Sequence, residues 1–189
     1  MSTRIAAPAR PTAFARLMLW FARRRYGKVM RPLQVAAHVP GYLIPYAMTH
    51  GFLAKGELPE GLRLLAMQLT GEINGCAWCI DFGRSLASPN GREKMFHIRE
   101  YATHASFTPD ERAALRYAEE ATRVPVEVSD ETFAELRRHF SERQIVELTF
   151  AIATESFYNR INAPLEIEAE GFCAIEVAAN VPHLRAANR

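Results

Sequence analysis

Three helix-start signals in the second half of the chain constrain its fold more than any other feature of the sequence. Residues 108–111 read Thr-Pro-Asp-Glu, which places an N-cap threonine, a proline at the first helical position and a glutamate where a capping box needs one. Ser129 caps a second segment of helical period. Ser141 and Gln144 form another capping box, and this box opens the longest predicted helix, over residues 142–162. The sequence therefore predicts three consecutive helices between residues 109 and 162.

The first half of the chain has the same helical period. Residues 12–26 form a basic amphipathic helix, and residues 59–72 carry leucines on one helical face. Prolines divide residues 32–58 into short helices or turns, because each proline disfavours helix at the residue before it. A further helix is predicted over residues 92–104. No strand-like alternation and no internal repeat is found, so the predicted fold class is all-α.

Composition indicates a single domain. The chain has 189 residues, of which 49% are hydrophobic and 23% are charged, which is an ordinary globular composition. We predict a flexible N-terminal arm at residues 1–11 and one helical domain at residues 12–189. The net charge of +2 gives no reason to expect a nucleic-acid partner.

Neither a membrane span nor a secreted disulfide framework is predicted. The longest apolar stretch near the start, residues 17–22, is far shorter than the roughly 20 residues that a spanning helix needs, and no cleavage site of small residues follows it. Only three cysteines occur, two of them in one Cys-x-x-Cys motif. We therefore expect a cytoplasmic protein without an integral membrane segment.

Cys76 and Cys79 form that motif, which is the clearest chemical feature of the sequence. Asn74-Gly75 ends the preceding helix, and Asn74 suits the N-cap of the next one. Both cysteines would then lie in the first helical turn, where the helix dipole favours thiolate over thiol. Side chains at i and i+3 hold their Cβ atoms about 5–6 Å apart, whereas a disulfide needs about 3.5–4.5 Å, and a helix start adjusts more easily than a helix middle. The motif thus predicts a reversible disulfide, with one thiol attacking and the other resolving.

Two other interpretations of the cysteines stay open. They could be two small buried residues, or they could be half of a zinc site completed by His97 and His104. The histidine spacing is not that of the usual zinc sites and no second Cys-x-x-Cys exists, so we predict no metal and no cofactor. The third cysteine, Cys173, is far away in the sequence and is predicted to be a plain buried or surface thiol.

Glu72 is the predicted acid–base group beside the two thiols. It precedes Cys76 by four residues, or roughly one helical turn, and should be partly buried. Burial would favour its taking a proton from a cysteine. The alternative is a glutamate exposed at a helix end. Separately, Glu155, Asn159 and Asn162 lie close to one line on the longest helix, which indicates either a polar lining over a pocket or a solvated stripe or interhelical hydrogen-bond set.

The segment over residues 62–81, with its Asn-Gly-Cys-Ala-Trp-Cys-Ile-Asp end, resembles the carboxymuconolactone decarboxylase superfamily, in particular its alkyl hydroperoxidase AhpD-like branch. The resemblance extends through residues 24–27 near the start and from 146 to 162 near the end. It implies an AhpD-like helical bundle, homo-oligomers such as trimers or hexamers, and peroxide reduction through the Cys-x-x-Cys pair. It also implies that Cys79 meets peroxide and that Cys76 resolves the product.

The sequence departs from this family at two positions. Well-studied members carry a glutamate twelve residues before the first cysteine and a histidine four residues after the second, and these positions are Leu64 and Gly83 here. The proton relay of the family is therefore missing, and Glu72 or Asp81 could replace it. The helix-start argument also favours Cys76 as the more readily ionised thiol, against the role that the resemblance gives to Cys79.

Two classes of function follow from the sequence. The first is a dithiol oxidoreductase of the peroxiredoxin type, which reduces a small hydroperoxide and is recycled by an unknown thiol reductant. The second is a carboxymuconolactone decarboxylase-like lyase or a non-catalytic binding relative, in which the cysteines are incidental. The namesake decarboxylases do not depend on a Cys-x-x-Cys, so the motif favours the oxidoreductase.

Overall fold

A computed structural model describes residues 3–89 and 91–173. The described ranges contain no strand, which confirms the all-α class. Two short 3-10 helices, Pro40–Tyr42 and Ile98–Glu100, occur between the α-helices. The α-helices of the described ranges are Ala13–Tyr26 (α1), Arg31–Ala36 (α2), Leu43–Leu53 (α3), Glu60–Ile73 (α4), Ala77–Ser85 (α5), Arg92–Phe96 (α6), Pro109–Thr122 (α7), Asp130–His139 (α8) and Glu142–Asn162 (α9).

Parts of two sequence predictions lie outside the described residues. They are residues 1–2 of the predicted arm, and Asn90 and residues 174–189 of the predicted domain. Within the rest of the arm, residues 3–11 contain no helix. Arg4 nevertheless contacts the segment after α9, because its guanidinium lies 2.6 Å from a carboxylate oxygen of Glu166.

The capping signals of the second half are confirmed. The backbone N–H of Thr108 donates to the Glu111 carboxylate at 2.9 Å, where α7 begins. The Ser129 hydroxyl accepts from the backbone N–H of Thr132 at 3.2 Å, where α8 begins. These bonds satisfy groups that the first helical turn leaves without a partner, which is why the sequence located these helix starts correctly.

One hydrophobic cluster forms where α4, α7, α8 and α9 meet, and we call it the helical core. Four of its leucines have at most 1% of their surface exposed: Leu69, Leu115, Leu136 and Leu148. Burying a side chain of this kind stabilises the fold by about 1.5–3 kcal/mol. This cluster holds together the second half of the chain and the helix that precedes the cysteines.

A second cluster surrounds α5 and is called the redox region here. Its buried members are Met30, Val35, Tyr46, Cys76, Trp78, Cys79, Phe82, Tyr158 and Ile167. Helix α9 contributes to both clusters, because Leu148 and Ile152 face the helical core while Tyr158 packs beside the cysteines. The longest helix thus connects the main core with the candidate site.

Two local predictions need correction. Asn74 caps the C-terminus of α4 and not the N-terminus of the cysteine helix, which begins at Ala77 with Cys76 at its N-cap. The reason is Gly75, whose φ of 66° turns the chain between the two helices. The helix predicted over 92–104 is in fact α6 followed by the 3-10 helix Ile98–Glu100.

No α-helix in the part of the chain that the structure describes has the length and apolar character needed to cross a membrane.

Candidate redox site

Cys76 and Cys79 form a disulfide at the start of α5. Their Cα atoms are 5.3 Å apart, which lies within the usual range for such a bond. Both side chains are buried, with 2% of Cys76 and 8% of Cys79 exposed. The two thiols can therefore pair as the motif predicts, whereas the reversibility of the bond stays a prediction.

Two buried asparagines of α9 direct their amide groups at the disulfide. Asn159 Nδ2 donates to Cys79 Sγ at 3.1 Å. Asn162 Nδ2 lies 3.4 Å from Cys79 Sγ and 3.8 Å from Cys76 Sγ. N–H donors close to a sulfur stabilise its charged form over its neutral form. Because both amides are nearer to Cys79, this geometry favours Cys79 over Cys76 as the thiolate of the reduced pair.

Glu155 is a buried carboxyl group connected to the same sulfur through Asn159. Its Oε1 accepts a hydrogen bond from Asn159 Nδ2 at 2.7 Å, and the same Nδ2 donates to Cys79 Sγ. Burial raises the pKa of Glu155 from 4.5 to about 7, although the bond from Asn159 lowers it in part. A carboxyl group with a pKa near 7 can both take and return a proton under neutral conditions.

Gly71 of α4 lies between the Glu155 carboxylate of α9 and Cys79 of α5. A Cβ atom built on Gly71 would lie 3.3 Å from Glu155 Oε1 and 3.6 Å from Cys79 Cβ. A glycine at this place therefore leaves room for the carboxylate and the cysteine together. Asn74, at the end of α4, donates to Asn159 Oδ1 at 2.8 Å and fixes the orientation of that carboxamide.

The structure places Glu72 in an ion pair. One of its carboxylate oxygens, Oε1, lies 2.6 Å from Arg84 Nη2 and accepts from Gln68 Nε2 at 3.1 Å. Both members of the pair are mostly buried, with side-chain exposures of 15% for Glu72 and 11% for Arg84. No hydrogen bond within the described ranges connects Glu72 with either cysteine. The acid–base role predicted for Glu72 is untested, and the contacts around the sulfurs favour Glu155 for it.

The position of the missing family histidine is filled from α4. A Cβ atom on Gly83 would lie only 2.3 Å from Gln68 Oε1, so a larger residue could not enter without displacing Gln68. At the position of the missing family glutamate, Leu64 packs partly buried against the helical core. Neither of these two positions therefore holds a side chain that could relay a proton.

The remaining sequence candidates have other contacts. Asp81 accepts backbone N–H bonds from Glu170, Phe172 and Cys173 at 2.9–3.0 Å, so it holds the segment after α9 against α5. Cys173 itself is a half-buried free thiol. The rings of His97 and His104 stack on each other at 4.3 Å. Across the two described ranges, no group of three or more His, Cys, Asp or Glu side chains is arranged to hold a metal ion.

The sequence did contain a signal for this site. Glu155, Asn159 and Asn162 were placed on one line of the longest helix, and all three now prove to be buried. What the spacing could not reveal is the partner of that line, because the disulfide lies some 80 residues away in the chain. The bonds of Asn159 with Asn74 and Cys79 confirm the interhelical hydrogen-bond set. The solvated stripe is wrong, because all three side chains are buried, and the polar lining of a pocket stays a prediction.

The sequence comparisons give two uncharacterised bacterial relatives. No protein-family model matches the chain. It is 29% identical over 160 residues to the uncharacterised protein YnjA of Escherichia coli (strain K12), an alignment that covers 82% of this chain and 88% of that protein. It is also 36% identical over 97 residues to the uncharacterised protein YdfG of Bacillus subtilis (strain 168), covering 48% of this chain and 64% of that protein.

Solved structures show which fold the chain has. The AhpD core of an uncharacterised peroxidase-related protein from Ralstonia eutropha JMP134 matches with a TM-score of 0.77 and 21% identity, over 90% of this chain and 94% of that one. A cysteine-to-alanine variant of the debrominase Bmp8 in complex with 2,3,4-tribromopyrrole matches with a TM-score of 0.80 and 21% identity, over 97% of this chain and 98% of that one. The chain therefore has the AhpD-like helical fold, and the resemblance drawn from the sequence is confirmed at this level.

Proposed function

We propose that this protein is a dithiol oxidoreductase that reduces a small hydroperoxide through Cys76 and Cys79. The observation that carries the proposal is the connected set of buried groups around the disulfide: Glu155, Asn159, Asn162 and the two sulfurs. A merely structural disulfide has no need of a carboxyl group with its pKa near 7 and of amide donors aimed at one sulfur. The AhpD-like fold supports the same class of chemistry.

The first half-reaction uses Cys79 as the nucleophile and Glu155 as the base. The Glu155 carboxylate takes the proton of the Cys79 thiol, and the Asn159 and Asn162 amides stabilise the resulting thiolate. The thiolate sulfur bonds to the terminal oxygen of the hydroperoxide while the oxygen–oxygen bond breaks. The leaving alkoxide takes the proton back from Glu155, so the products are an alcohol and a sulfenic acid on Cys79.

The second half-reaction closes the disulfide seen in the structure. The Cys76 sulfur attacks the Cys79 sulfur, and the hydroxyl of the sulfenic acid leaves as water with the Cys76 proton. The pair has then lost two electrons and the peroxide has gained them. An external thiol reductant returns the two electrons and completes the cycle. This assignment follows the resemblance in giving the attack to Cys79 and the resolution to Cys76.

A thiol count before and after peroxide tests the proposal. The fully reduced protein is mixed with one equivalent of hydrogen peroxide, and free thiols are titrated. We expect the count to fall from three to one in the wild type and from two to none in Cys173→Ser, the matched control. Cys76→Ser should accumulate a sulfenic acid that dimedone traps on Cys79, while Cys79→Ser should lose no thiol within the same time.

The base is tested by the rate of that reaction. Glu155→Gln keeps the shape and removes the titratable group, and the rate of thiol loss near pH 7 should fall by about 10²–10⁴-fold. Glu72→Gln should react at close to the wild-type rate. If the two results are exchanged, the acid–base role belongs to Glu72, as predicted from the sequence. If the wild type reacts no faster than a free cysteine, the oxidoreductase proposal fails and the lyase or binding alternatives return.

The structural similarity to the debrominase Bmp8 suggests a second oxidant for the same assay, the 2,3,4-tribromopyrrole bound to that protein. Removal of bromine from an aromatic ring by a dithiol would also close a disulfide: a proton replaces bromine on the ring carbon, bromide leaves, and the two thiols supply the two electrons. Incubation of the reduced protein with 2,3,4-tribromopyrrole therefore distinguishes a hydroperoxide substrate from an aryl bromide substrate. We expect peroxide to oxidise the pair and the bromopyrrole to leave it reduced. Bromide release would mean that the substrate class is an aryl bromide and not a hydroperoxide.

We also propose a homo-oligomer, such as a trimer or hexamer, in a reducing compartment such as the cytoplasm. Large apolar side chains between 50% and 63% exposed lie on α1, on α3 with the 3-10 helix before it, and on α9: Leu17, Trp20, Phe21, Tyr42, Met48, Phe52 and Phe150. Apolar side chains in such numbers on a surface are typical of an interface. Light scattering at micromolar concentration should give a multiple of 21.3 kDa, and a monomer mass would contradict the proposal.

A further inference from the structure

Asn162 contains a buried polar atom that the structure leaves without a partner. Only 1% of this side chain is exposed. Its Nδ2 lies near both sulfurs, but its Oδ1 has no hydrogen-bond partner within the described part of the chain. Leaving a buried acceptor unpaired is unfavourable. An unpaired acceptor beside the disulfide indicates that its partner exists in another state of the molecule.

The other redox state supplies a donor at this place. In the disulfide neither sulfur carries a proton, so neither can donate to Asn162 Oδ1. Reduction breaks the sulfur–sulfur bond and adds two electrons, which leaves one thiolate and one thiol once one proton has been bound. The thiol S–H is a new donor, weak but directed. It arises within reach of the side chain that has the unpaired acceptor.

The carboxamide of the neighbouring asparagine, unlike that of Asn162, already has partners for both of its polar atoms. Asn159 Oδ1 already accepts from Asn74, and its Nδ2 is shared between Glu155 and Cys79. The carboxamide of Asn162 has no such fixed partner on its oxygen, and the terminal torsion of an asparagine turns easily. Asn162 is therefore the side chain that can contact both sulfurs with two different groups.

We propose that Asn162 is a positioning residue that recognises the reduced pair, with Nδ2 donating to the Cys79 thiolate and Oδ1 accepting from the Cys76 thiol. The inference rests on the proposed function only in assuming that the disulfide opens. Such a carboxamide places the negative charge on Cys79 and the proton on Cys76. It also stabilises the reduced form relative to the disulfide, because Oδ1 gains a partner only on reduction.

The redox equilibrium with glutathione measures this effect. Asn162→Leu has a similar size and lacks both polar groups. We expect its equilibrium constant for reduction to fall about tenfold, which corresponds to a reduction potential about 30 mV lower. In the reduced wild type, limiting iodoacetamide should alkylate Cys79 before Cys76, as read by fragment mass spectrometry. The variant should lose this preference. Asn162→Ala tests the same two readouts if the leucine variant does not fold.

Gln68→Leu is the matched control. Gln68 is also a buried amide with an unpaired oxygen, but its Nε2 bonds to Glu72 and not to a sulfur. It should leave the glutathione equilibrium within twofold of the wild type. A shift of at least threefold toward the disulfide in the Asn162 variant, with loss of the Cys79 preference, supports the proposal. A smaller or opposite shift, an equal shift in the control, or an unchanged alkylation pattern overturns it.

The two proposals can fail separately. The glutathione equilibrium involves no peroxide, so it reports on Asn162 even if the wild type does not reduce hydroperoxides. Conversely, a protein with peroxide activity and an unchanged equilibrium in Asn162→Leu would retain the proposed function and lose this inference.

Discussion

The helical core and the redox region each bury a glutamate, and they treat it in opposite ways. In the helical core, Glu120 of α7 accepts from the Ser129 backbone at 2.9 Å and from the Thr132 hydroxyl at 2.8 Å, and Arg116 lies 3.4 Å away. Burial alone would raise the pKa of Glu120, but these donors outweigh it and hold the pKa below its ordinary value. This glutamate is a charged anchor between α7 and α8.

In the redox region, Glu155 has a different environment. The hydrogen bond that it accepts comes from Asn159, a neutral amide, and burial raises its pKa to about 7. Donors sufficient to stabilise the charge are present in one region and lacking in the other. The comparison teaches that a buried carboxylate whose charge is stabilised by several donors has a structural role. A buried carboxyl group whose pKa lies near neutral pH indicates a site for proton transfer.

The largest expected effect concerns the apolar packing of the helical core. Leu148 has no exposed surface, and Leu148→Ala should lower the free energy of unfolding by about 2–5 kcal/mol, because the deleted methyl groups leave a cavity. Denaturant unfolding of the oxidised protein measures this loss. The disulfide should still close at the wild-type rate in the molecules that remain folded.

The control for this prediction is an exposed aliphatic residue outside the helices. Val126 is 67% exposed, and Val126→Ala should change the free energy of unfolding by less than about 0.5 kcal/mol. A loss of peroxide reactivity in folded Leu148→Ala would show that the two regions are coupled through α9, which would break the comparison.

The next effect is the pH dependence of stability, and the two glutamates should give opposite signs. The pKa of Glu155 is raised from 4.5 to about 7, so the folded protein binds a proton that the unfolded chain releases. Protonated Glu155 makes its full contribution to the free energy of unfolding below pH 4.5. This contribution, on the order of 3 kcal/mol, is lost as the pH rises to about 7. The depressed pKa of Glu120 contributes stability above its unfolded value, which is lost as the pH falls.

Unfolding free energies between pH 4 and 8 check both signs. The difference between the wild type and Glu155→Gln should change across pH 4.5–7 in the direction given above, and Glu120→Gln should differ from the wild type most at neutral pH. Equal pH profiles for the wild type and Glu155→Gln would mean that Glu155 ionises normally, and its role as a base would then lose its support.

The sequence predicted the helical core better than the redox region, and the physical reason is range. Capping boxes and apolar periods are properties of neighbouring residues, so the starts of α7, α8 and α9 could be located without knowledge of the fold. The Cys-x-x-Cys pair was found for the same reason. Glu72 was chosen because it precedes Cys76 by about one helical turn, although Asn74-Gly75 was already predicted to end the helix between the two residues.

Gly75 turns the chain between these two residues. Its positive φ ends α4 before the cysteines, and the ion pair with Arg84 engages the Glu72 carboxylate elsewhere. Glu155 is connected to Cys79 through Asn159. It reaches the cysteines because α9 packs against α5, and no local sequence pattern encodes this packing. The three polar residues of α9 were visible as a line, but the identity of the surface facing them needed the tertiary structure.

The smallest expected effect tests how the redox region is held together. Asp81 accepts backbone N–H bonds from Glu170, Phe172 and Cys173, so polar bonds fix the segment that follows α9. In Asp81→Asn one oxygen becomes an NH₂ group that faces N–H donors. Local opening of the segment should become easier by about 1–3 kcal/mol, because partly buried N–H groups lose an acceptor and face another donor.

Hydrogen exchange at these three amides should therefore accelerate by about 5- to 150-fold in Asp81→Asn, since each 1.4 kcal/mol is a factor of ten. Amides in the middle of α7 should keep their exchange rates, because the helical core does not depend on this carboxylate. Asp130→Asn, at an exposed position in the first turn of α8, is the matched control and should leave residues 170–173 unchanged. If exchange instead accelerates equally at residues 170–173 and within α7, the two regions unfold as one unit. The distinction between an apolar core and a polar-anchored redox region would then hold for their contacts but not for their stability.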